Sequence, residues 1–278
     1  YLCHCTVATK QPAMTAARMA EAIEQTQQGR AGARKLAQLL IDVNRSQSIA
    51  VLGNLSLAML TATALCLLWA DKSGAPLLDH HSAEHQMAAL AMPSALFYAA
   101  IAAVWLFCSG IIAGYYDNRA QYLRLRERLR VNPLLRRLLP ATTRARFADF
   151  VHDHLGALAS NFLFGVLLGI TPWMGKTLEL PLDIRHIAFS SANLAYATAS
   201  HPEGIGVFAQ GLFAVITIGL VNLWVSFAFA LRVALSARDA RFPPLRQFIS
   251  VLAEEIRREP RALFFPRRTA TNENSASK

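Results

Sequence analysis

The sequence has 278 residues, of which 54% are hydrophobic and 17% are charged, and its mean hydropathy is +0.29. This composition excludes an intrinsically disordered chain and is unusual for a soluble globular protein, because the apolar residues gather in uncharged runs. The 28 Lys and Arg against 18 Asp and Glu give a net charge of +10. This charge is consistent with binding to nucleic acid, with binding to anionic lipid, or with the loop charges that orient a membrane protein and no further partner.

Residues 1–47 precede the first long apolar run. The chain opens without Met, and its first eight residues (YLCHCTVA) read like the end of an apolar segment, so we expect an upstream span in the same chain. Residues 13–43 are predicted to form a cytoplasmic helix, interrupted near Gly29 and Gly32. The apolar side of that helix is predicted to carry Met14, Ala17, Ile23, Leu36, Leu39 and Val43.

Four stretches are apolar and long enough to cross a bilayer. A helical span needs about 20 mostly apolar residues, and a helix satisfies every backbone group internally. The predicted spans are 48–69, 93–116, 156–175 and 204–235. The sequence therefore predicts an all-α, polytopic integral membrane protein, with a four-helix transmembrane domain over residues 48–235.

The distribution of basic residues predicts the orientation of these spans. Lys and Arg number 6 in residues 1–47, 1 in 70–92, 9 in 117–155, 2 in 176–203 and 10 from residue 232 onward. Because cytoplasmic loops are rich in Lys and Arg, both ends of the chain and residues 117–155 are predicted to lie in the cytoplasm. The segment 236–278 is then a basic cytoplasmic tail, which we expect to be disordered after about residue 266.

Residues 117–155 are predicted to contain two basic cytoplasmic helices. The first stops at Asn132-Pro133, and the second covers about residues 142–154. Two partners suit this block: the anionic inner leaflet of the bilayer, or DNA. The residues of the basic patch are Arg124, Arg126, Arg128, Arg130, Arg136 and Arg137.

Small and polar residues inside the spans predict contacts between helices. Two pairs of glycines are spaced four residues apart, which permits close approach of two helices or of two copies of the chain. These pairs are Gly110 with Gly114 and Gly165 with Gly169. Asn54, Asn161 and Asn222 need hydrogen-bond partners, which indicates interhelical bonds or a polar passage.

Two segments outside the spans hold candidate sites. His81, Glu84 and His85 match an inverted zinc-protease string, although a hydrated loop without metal is the favoured interpretation. Residues 180–199 begin with a polar cluster and continue as an apolar helix, near 182–199, that is either interfacial or re-entrant. If the segment re-enters, its N-terminus has the chemistry to receive an anion. The candidate functional cluster comprises Asp183, Arg185, His186 and Asn193.

Four strings resemble a bacterial membrane family catalogued as site-specific recombinase and named after a gonococcal recombinase. They are ATKQPAMTAARMA at 8–20, GNLSLA at 53–58, SGIIAGYYDN at 109–118 and LPLDIRHIAFSSANLA at 180–195. The resemblance covers residues 1 to about 237 and implies longer members with a helical upstream part and further spans. Its name implies DNA recombination, but the resemblance carries over no catalytic residue and implies no cofactor.

The chemistry of strand exchange is not evident in the sequence. A tyrosine recombinase uses a His-x-x-Arg pair, and none of the eight His here has Arg three residues later. A serine recombinase needs an activated serine at the DNA, but Ser190 and Ser191 are predicted to face outward. The phenols nearest to the basic helices are Tyr115, Tyr116 and Tyr122.

Three functions follow as hypotheses. The leading one is an inner-membrane protein with an envelope or transport-related role. The alternatives are DNA recombination with the basic helices binding DNA and, more weakly, a zinc-dependent membrane hydrolase.

Overall fold

The computed structural model describes residues 7–25, 30–202, 204–240, 242–263 and 265. These residues form α-helices and one 3₁₀ helix and contain no strand, which confirms the predicted all-α class. The α-helices are α1 Val7–Gln25, α2 Arg30–Ser73, α3 His80–Ala88, α4 Ser94–Tyr122, α5 Leu125–Val131, α6 Pro133–Leu138, α7 Ala141–Leu178, α8 Ile187–Ser200, α9 Ile205–Ala237 and α10 Leu245–Arg258. The 3₁₀ helix is Pro260–Leu263.

Helices α2, α4, α7 and α9 are long and apolar enough to span a membrane, and each contains one of the predicted spans. Side-chain contacts fix the direction of neighbours: Trp105 of α4 donates to Thr171 of α7 over 2.9 Å, while Asp117 accepts from the Gly156 N–H over 3.1 Å. The first contact joins early α4 to late α7 and the second joins late α4 to early α7. The two helices are therefore antiparallel.

The first predicted span is part of a longer helix. Helix α2 runs without a break over 44 residues and contains Gly32, while residues 26–29, where the other predicted interruption falls, lie outside the described part. Helix α1 packs differently from the prediction, because Met14 and Ala17 are exposed while Ala16 and Met19 are buried. Of the six residues predicted for the apolar side, Met14 and Ala17 were therefore wrong, whereas Ile23, Leu36 and Leu39 do pack in the core.

One core cluster joins α1, α2, α9 and α10. Its buried members are Ala16, Met19, Ala33, Leu36, Ala37, Phe227, Ala230, Phe248 and Val251. Helix α10 presents Phe248 and Val251 to this core and its charged face to the start of α2, so residues 245–258 of the basic tail are packed. Residues from 266 onward, which the sequence predicts to be disordered, lie outside the described residues.

Ion pairs hold α10 to α2. Glu254 contacts Arg30 at 2.9 Å, Arg34 at 3.2 Å and Arg258 at 2.6 Å. The hydrogen bond from Arg30, together with the positive charge of Arg258 and Arg34, holds the pKa of Glu254 below its ordinary value. Its neighbour Glu255 is buried and pairs with Arg34 at 2.9 Å. The pairs therefore fix the position of α10 along α2.

The joint between α4 and α7 depends on a glycine that was not predicted. A Cβ at Gly156 would collide with the carboxylate of Asp117 and with the backbone carbonyl of Ala113. The absence of a side chain lets the Gly156 N–H reach Asp117 across the two helices. Gly175, Gly211 and Gly219 make comparable close approaches elsewhere in the bundle.

We predict that Gly156→Ala weakens the α4–α7 joint. The methyl group would force the backbone at Ala113 to move, and overpacking of this kind costs about 1–3 kcal/mol. Thermal unfolding of the purified protein in detergent measures the loss. The matched control is Gly165→Ala on the same helix, where an added Cβ meets nothing within 4 Å and helix propensity favours Ala. Equal melting temperatures for the two variants would contradict the prediction.

Candidate functional site: a short helix held between the spans

The polar cluster predicted near residue 183 lies in an extended segment between α7 and α8. Helix α7 ends at Glu179, whose φ of 54° is left-handed, and residues 180–186 run extended past the end of α7. A Cβ at Gly175 would collide with the carbonyl of Leu182, so the last turn of α7 admits this segment only because residue 175 is a glycine. The chain thereby turns back into the bundle.

Asn222 receives the end of this segment. The residue is 3% exposed and is the eighteenth of the 33 residues of α9. Its Oδ1 accepts from the Ile187 N–H over 3.0 Å, and its Nδ2 donates to the Ala99 carbonyl over 2.8 Å and to the Arg185 carbonyl over 3.0 Å. One carboxamide therefore joins α9, α4 and the first residue of α8, with both of its polar atoms in use.

Arg185 fixes the same segment to α4. Its Nε donates to the Ala89 carbonyl over 2.8 Å, and its Nη1 donates to Asp183 over 2.7 Å and to the Ile184 carbonyl over 2.9 Å. Its guanidinium carbon lies 5.6 Å from the centre of the Tyr98 ring, which is a cation–π distance. The Arg185 N–H also donates to the Tyr98 carbonyl over 3.3 Å. These contacts tie the segment to the start of α4.

The other two predicted cluster residues have different surroundings. The His186 ring contacts Phe164 of α7 and Phe189 of α8, with centroid distances of 5.5 and 5.9 Å. Asn193 is half-buried two turns further along α8 and makes no hydrogen bond within the described part of the chain. The structure brings Asp183 and Arg185 together as an ion pair, and Arg185 also donates to carbonyl groups. The hypothesis that the start of α8 receives an anion with Arg185 and His186 stays a prediction, although Arg185 already donates to Asp183 and to two carbonyl groups.

Helix α8 runs alongside half of α9. Ile187 packs beside Gly219, and Leu194 packs beside Gly211, so α8 is antiparallel to α9 and approaches the end at which α9 begins. At the end of α8, the Ser200 hydroxyl lies 4.0 Å from the thiol of Cys66 on α2 and accepts from the Leu78 N–H over 3.2 Å. The helix thus starts beside the middle of α9 and is packed against α2, α3 and α9. Its buried face includes Ile187, Ser190, Ser191, Leu194, Ala195 and Ala197.

Ser190 is a candidate that the sequence did not single out. It is 1% exposed, and its hydroxyl has no hydrogen-bond partner among the described residues. The neighbouring Ser191, also buried, donates to the Ile187 carbonyl over 2.6 Å. Both serines are buried on one short helix, and only the structure shows which hydroxyl has a partner.

The remaining asparagines and glycines differ in their use. Asn54 is exposed and Asn161 is half-buried, whereas Asn222 alone of the three has a set of interhelical bonds in the described residues. Gly110 is buried, but Gly114, Gly165 and Gly169 face open space. The close approach predicted for those three glycines is absent from the described part of the chain.

The predicted zinc string lies on α3 and its start. Asp79 caps α3 by accepting from the Ser82 N–H over 3.1 Å, and hydrogen bonding by the Ser82 side chain and then by its backbone lowers the pKa of Asp79. Glu84 lies 3.4 Å from the ring of His80, which is not part of the string. The described residues contain no group of three or more His, Cys, Asp or Glu that would hold a metal ion.

A cleft of about 440 Å³ lies beside α3, between the ends of α2 and α8. Its lining includes Cys66, Pro76, Ser200 and His201. The His201 ring bonds to the Leu78 carbonyl over 2.9 Å and contacts the His80 ring at 5.4 Å. The polar atoms of this cleft are thus occupied in holding the loop before α3 against the end of α8.

The basic patch divides into two groups. Arg126 bonds to Asp149 at 3.1 Å and to Asp153 at 2.7 Å, and Arg130 bonds to Asp149 at 2.8 Å. These two arginines hold α5 against α7. Arg124 adopts a left-handed φ of 46° between α4 and α5 and lies 3.9 Å from Glu127. The exposed members without an ion pair among the described residues are Arg128, Arg136 and Arg137.

Comparison with protein families decides the relationship of this fold to known proteins. A family model described as "Site-specific recombinase" matches residues 1–266. The chain belongs to this family. Neither a search of curated proteins nor a search of solved structures gave a match.

The family description does not coincide with a strand-exchange site in the described residues. Ser190 and Ser191 are buried, and Tyr115 and Tyr122 are 58% and 82% exposed. The Tyr115 ring contacts the Tyr116 ring at 5.3 Å, and no histidine or arginine supports either phenol among the contacts described. The best-built polar constellation of the described residues is therefore the one around Asn222 and Arg185.

We predict that Asn222→Leu destabilises the protein by about 2–4 kcal/mol, because the buried Ile187 N–H loses its acceptor and two carbonyls lose a donor. Thermal unfolding in detergent measures the loss. The control is Thr217→Val on the same helix, whose hydroxyl donates to the Phe213 carbonyl of its own turn. A melting temperature for Asn222→Leu equal to that of the control would show that the three bonds are dispensable.

Proposed function

We propose that this chain is an inner-membrane protein with a transport-related role in the bacterial envelope, and that α8 is a re-entrant helix at its functional centre. The single observation that carries the proposal is the start of α8 beside Asn222, at the middle of α9. The four apolar helices agree with a membrane-embedded protein, and the family is that of the site-specific recombinases.

The length of α8 supports re-entry. Its 14 residues extend about 21 Å, less than the roughly 30 Å of a hydrocarbon core. Non-helical backbone at membrane depth is tolerated where protein surrounds it, and residues 183–186 are surrounded by α4, α7 and α9. Broken helices of this kind form the substrate sites of many transporters, because unwound backbone and a helix terminus offer polar groups near the midplane.

Four polar groups at the start of α8 suit a small polar solute. The N–H groups of Ala188 and Phe189 precede the first intrahelical bond, which runs from the Ser190 N–H to the His186 carbonyl. The Ser190 hydroxyl is buried without a partner in the described residues, and the Asn193 side chain lies one turn further along. Asp183, Arg185 and Asn222 position this turn, and the four groups would contact the solute.

We predict that an aqueous reagent reaches Asn193. In a background without the four native cysteines, Asn193→Cys in proteoliposomes should react with a membrane-impermeant thiol reagent, because a solute pathway contains water. The control is Phe213→Cys, a 70% exposed position on α9 that the proposal places against lipid. Equal, negligible labelling of both positions would argue against a pathway at α8.

A panel of small solutes then tests function directly. Each class, including amino acids, carboxylates, sugars and inorganic anions, is added to the purified protein, and thermal unfolding is followed. A ligand that binds the folded state raises the melting temperature in proportion to the logarithm of its concentration. Stabilisation by one class that is lost in Ser190→Ala supports the proposal, whereas no response to any class opposes it.

DNA recombination is the second candidate, and the family description favours it. Under the leading proposal, the free arginines instead bind the anionic inner leaflet, and the exposed Leu134 and Leu138 beside them enter the interface. Paired arginines have no such role, because Asp149 and Asp153 already neutralise them. Arg136 and Arg137 are therefore the residues that distinguish the two functions.

We predict that duplex DNA binds the protein weakly and without sequence preference, and that binding vanishes as salt is raised, because the contact is electrostatic alone. Binding is measured in lipid nanodiscs with a scrambled competitor. Arg136→Gln with Arg137→Gln should weaken it further, while Arg126→Gln serves as the control for a paired arginine. Sequence-selective binding with a covalent protein–DNA product would establish recombination instead.

A further inference from the structure

Helix α2 is the least covered of the four candidate spans. Only 17% of its most apolar window is buried, against 28%, 33% and 44% for α4, α7 and α9. The buried residues of this part, Leu55, Ala62 and Cys66, share one face, and Cys66 contacts α8 there. The opposite face has no neighbour among the described residues.

Most residues of this part that lie away from the buried face are exposed, and one strip among them has heptad spacing. Asn54, Leu57, Thr61, Ala64 and Leu68 are all exposed, and successive members are three, four, three and four residues apart. This is the spacing by which two helices interlock side chains along a common seam. The seam lies on the side of the helix away from Leu55, Ala62 and Cys66, since each residue advances about 100° around the axis.

Two members of the seam are polar. Asn54 and Thr61 are one heptad apart, and neither side chain makes a hydrogen bond within the described part of the chain. A carboxamide in hydrocarbon needs a partner, and an asparagine inside a span promotes helix association by bonding across the interface. Gly53 beside Asn54 leaves open space, so a second backbone can come close at this level.

We propose that α2 pairs with α2 of a second copy of this chain through the seam Asn54, Leu57, Thr61, Ala64 and Leu68. Two copies inserted in the same orientation present parallel α2 helices, and a two-fold axis along the membrane normal places like residues opposite each other. A carboxamide both donates and accepts, so Asn54 of one copy satisfies Asn54 of the other. A single asparagine at such a position also fixes the register of the pair.

The choice of a second copy follows from that self-complementarity. The seam holds no charge, so it does not select an oppositely charged partner. Its leucines and small residues interlock with an identical set, and its polar residue meets its own complement. The proposal depends on α2 being a membrane span and is independent of any transport by α8.

Disulfide cross-linking in native membranes tests the pairing. In the background without native cysteines, Asn54→Cys, Thr61→Cys and Ala64→Cys are each oxidised and run on a non-reducing gel. A band at twice the mass of the chain is expected for all three. The control is Leu52→Cys, which is 55% exposed on the same helix but roughly 160° around it from Asn54.

Energy transfer between labelled copies in liposomes of increasing lipid content measures the affinity of the pair. Asn54→Leu should weaken the dimer about three- to thirty-fold, the range expected for one interhelical hydrogen bond in a membrane. Asn54→Gln should retain most of the affinity. Thermal unfolding confirms that each variant is folded, and Ala64→Cys tests the seam with Asn54 intact.

Three results would overturn the proposal. The first is a monomer at every lipid dilution. The second is cross-linking at Leu52→Cys as efficient as at the seam, which would indicate random collision. The third is a cross-linked product at the mass of a different protein, which would place another partner on this face of α2.

Discussion

The hydrogen bonds of Asn222 are the constraint on which the arrangement of the bundle depends. Its carboxamide, with one acceptor and two donors, meets the Ile187 N–H and the Arg185 carbonyl where the non-helical segment joins α8, and also the Ala99 carbonyl of α4. Without such a residue, the start of α8 would expose unsatisfied backbone among apolar side chains, at a cost of several kcal/mol in lipid. Asn222 therefore makes it possible for the chain to enter the bundle as extended backbone.

Arg185 and the glycines complete that entry. The guanidinium donates to the Ala89 carbonyl just after α3, and Gly175 leaves room for Leu182 to pass the last turn of α7. Arg185 supplies a hydrogen-bond donor to a carbonyl, and Gly175 leaves space for the backbone of a neighbouring segment. Together they place Ser190 and the first turn of α8 among three spans, and that placement is what any ligand of this region would meet.

The sequence predicted the parts of this fold that depend on local pattern. Uncharged length located the four spans, and a helix, α5, ends before Asn132-Pro133 as expected. The same Asn132 also caps α6, which was not predicted, by accepting from the N–H groups of Leu134 and Leu135. The candidate cluster at 183–186 was also found, because polar residues opening an apolar stretch are conspicuous. Its role was not predicted, since the main distant partner of the Arg185 guanidinium is the Ala89 carbonyl, 96 residues away along the chain.

For the same reason, the spacing of the glycines did not predict which of them lie at contacts between helices. Gly165 and Gly169 have the spacing of a contact pair, yet it is Gly156 that admits another helix. Spacing within one helix states which residues share a face, whereas contact requires a neighbour on that face. Likewise, six arginines looked alike in sequence, and only the positions of Asp149 and Asp153 on α7 separate the two that hold α5 in place from those left free.

The continuity of α2 has a mechanical consequence. At 44 residues it is about 66 Å long, more than twice the thickness of a hydrocarbon core. One end is bound by ion pairs to α10, and the other lies along α8 as far as Ser200. A helix without an internal break transmits a tilt along its whole length, so a displacement of α10 becomes a displacement of α8. A movement at the end of α2 that is paired with α10 would thereby reach the region of α8.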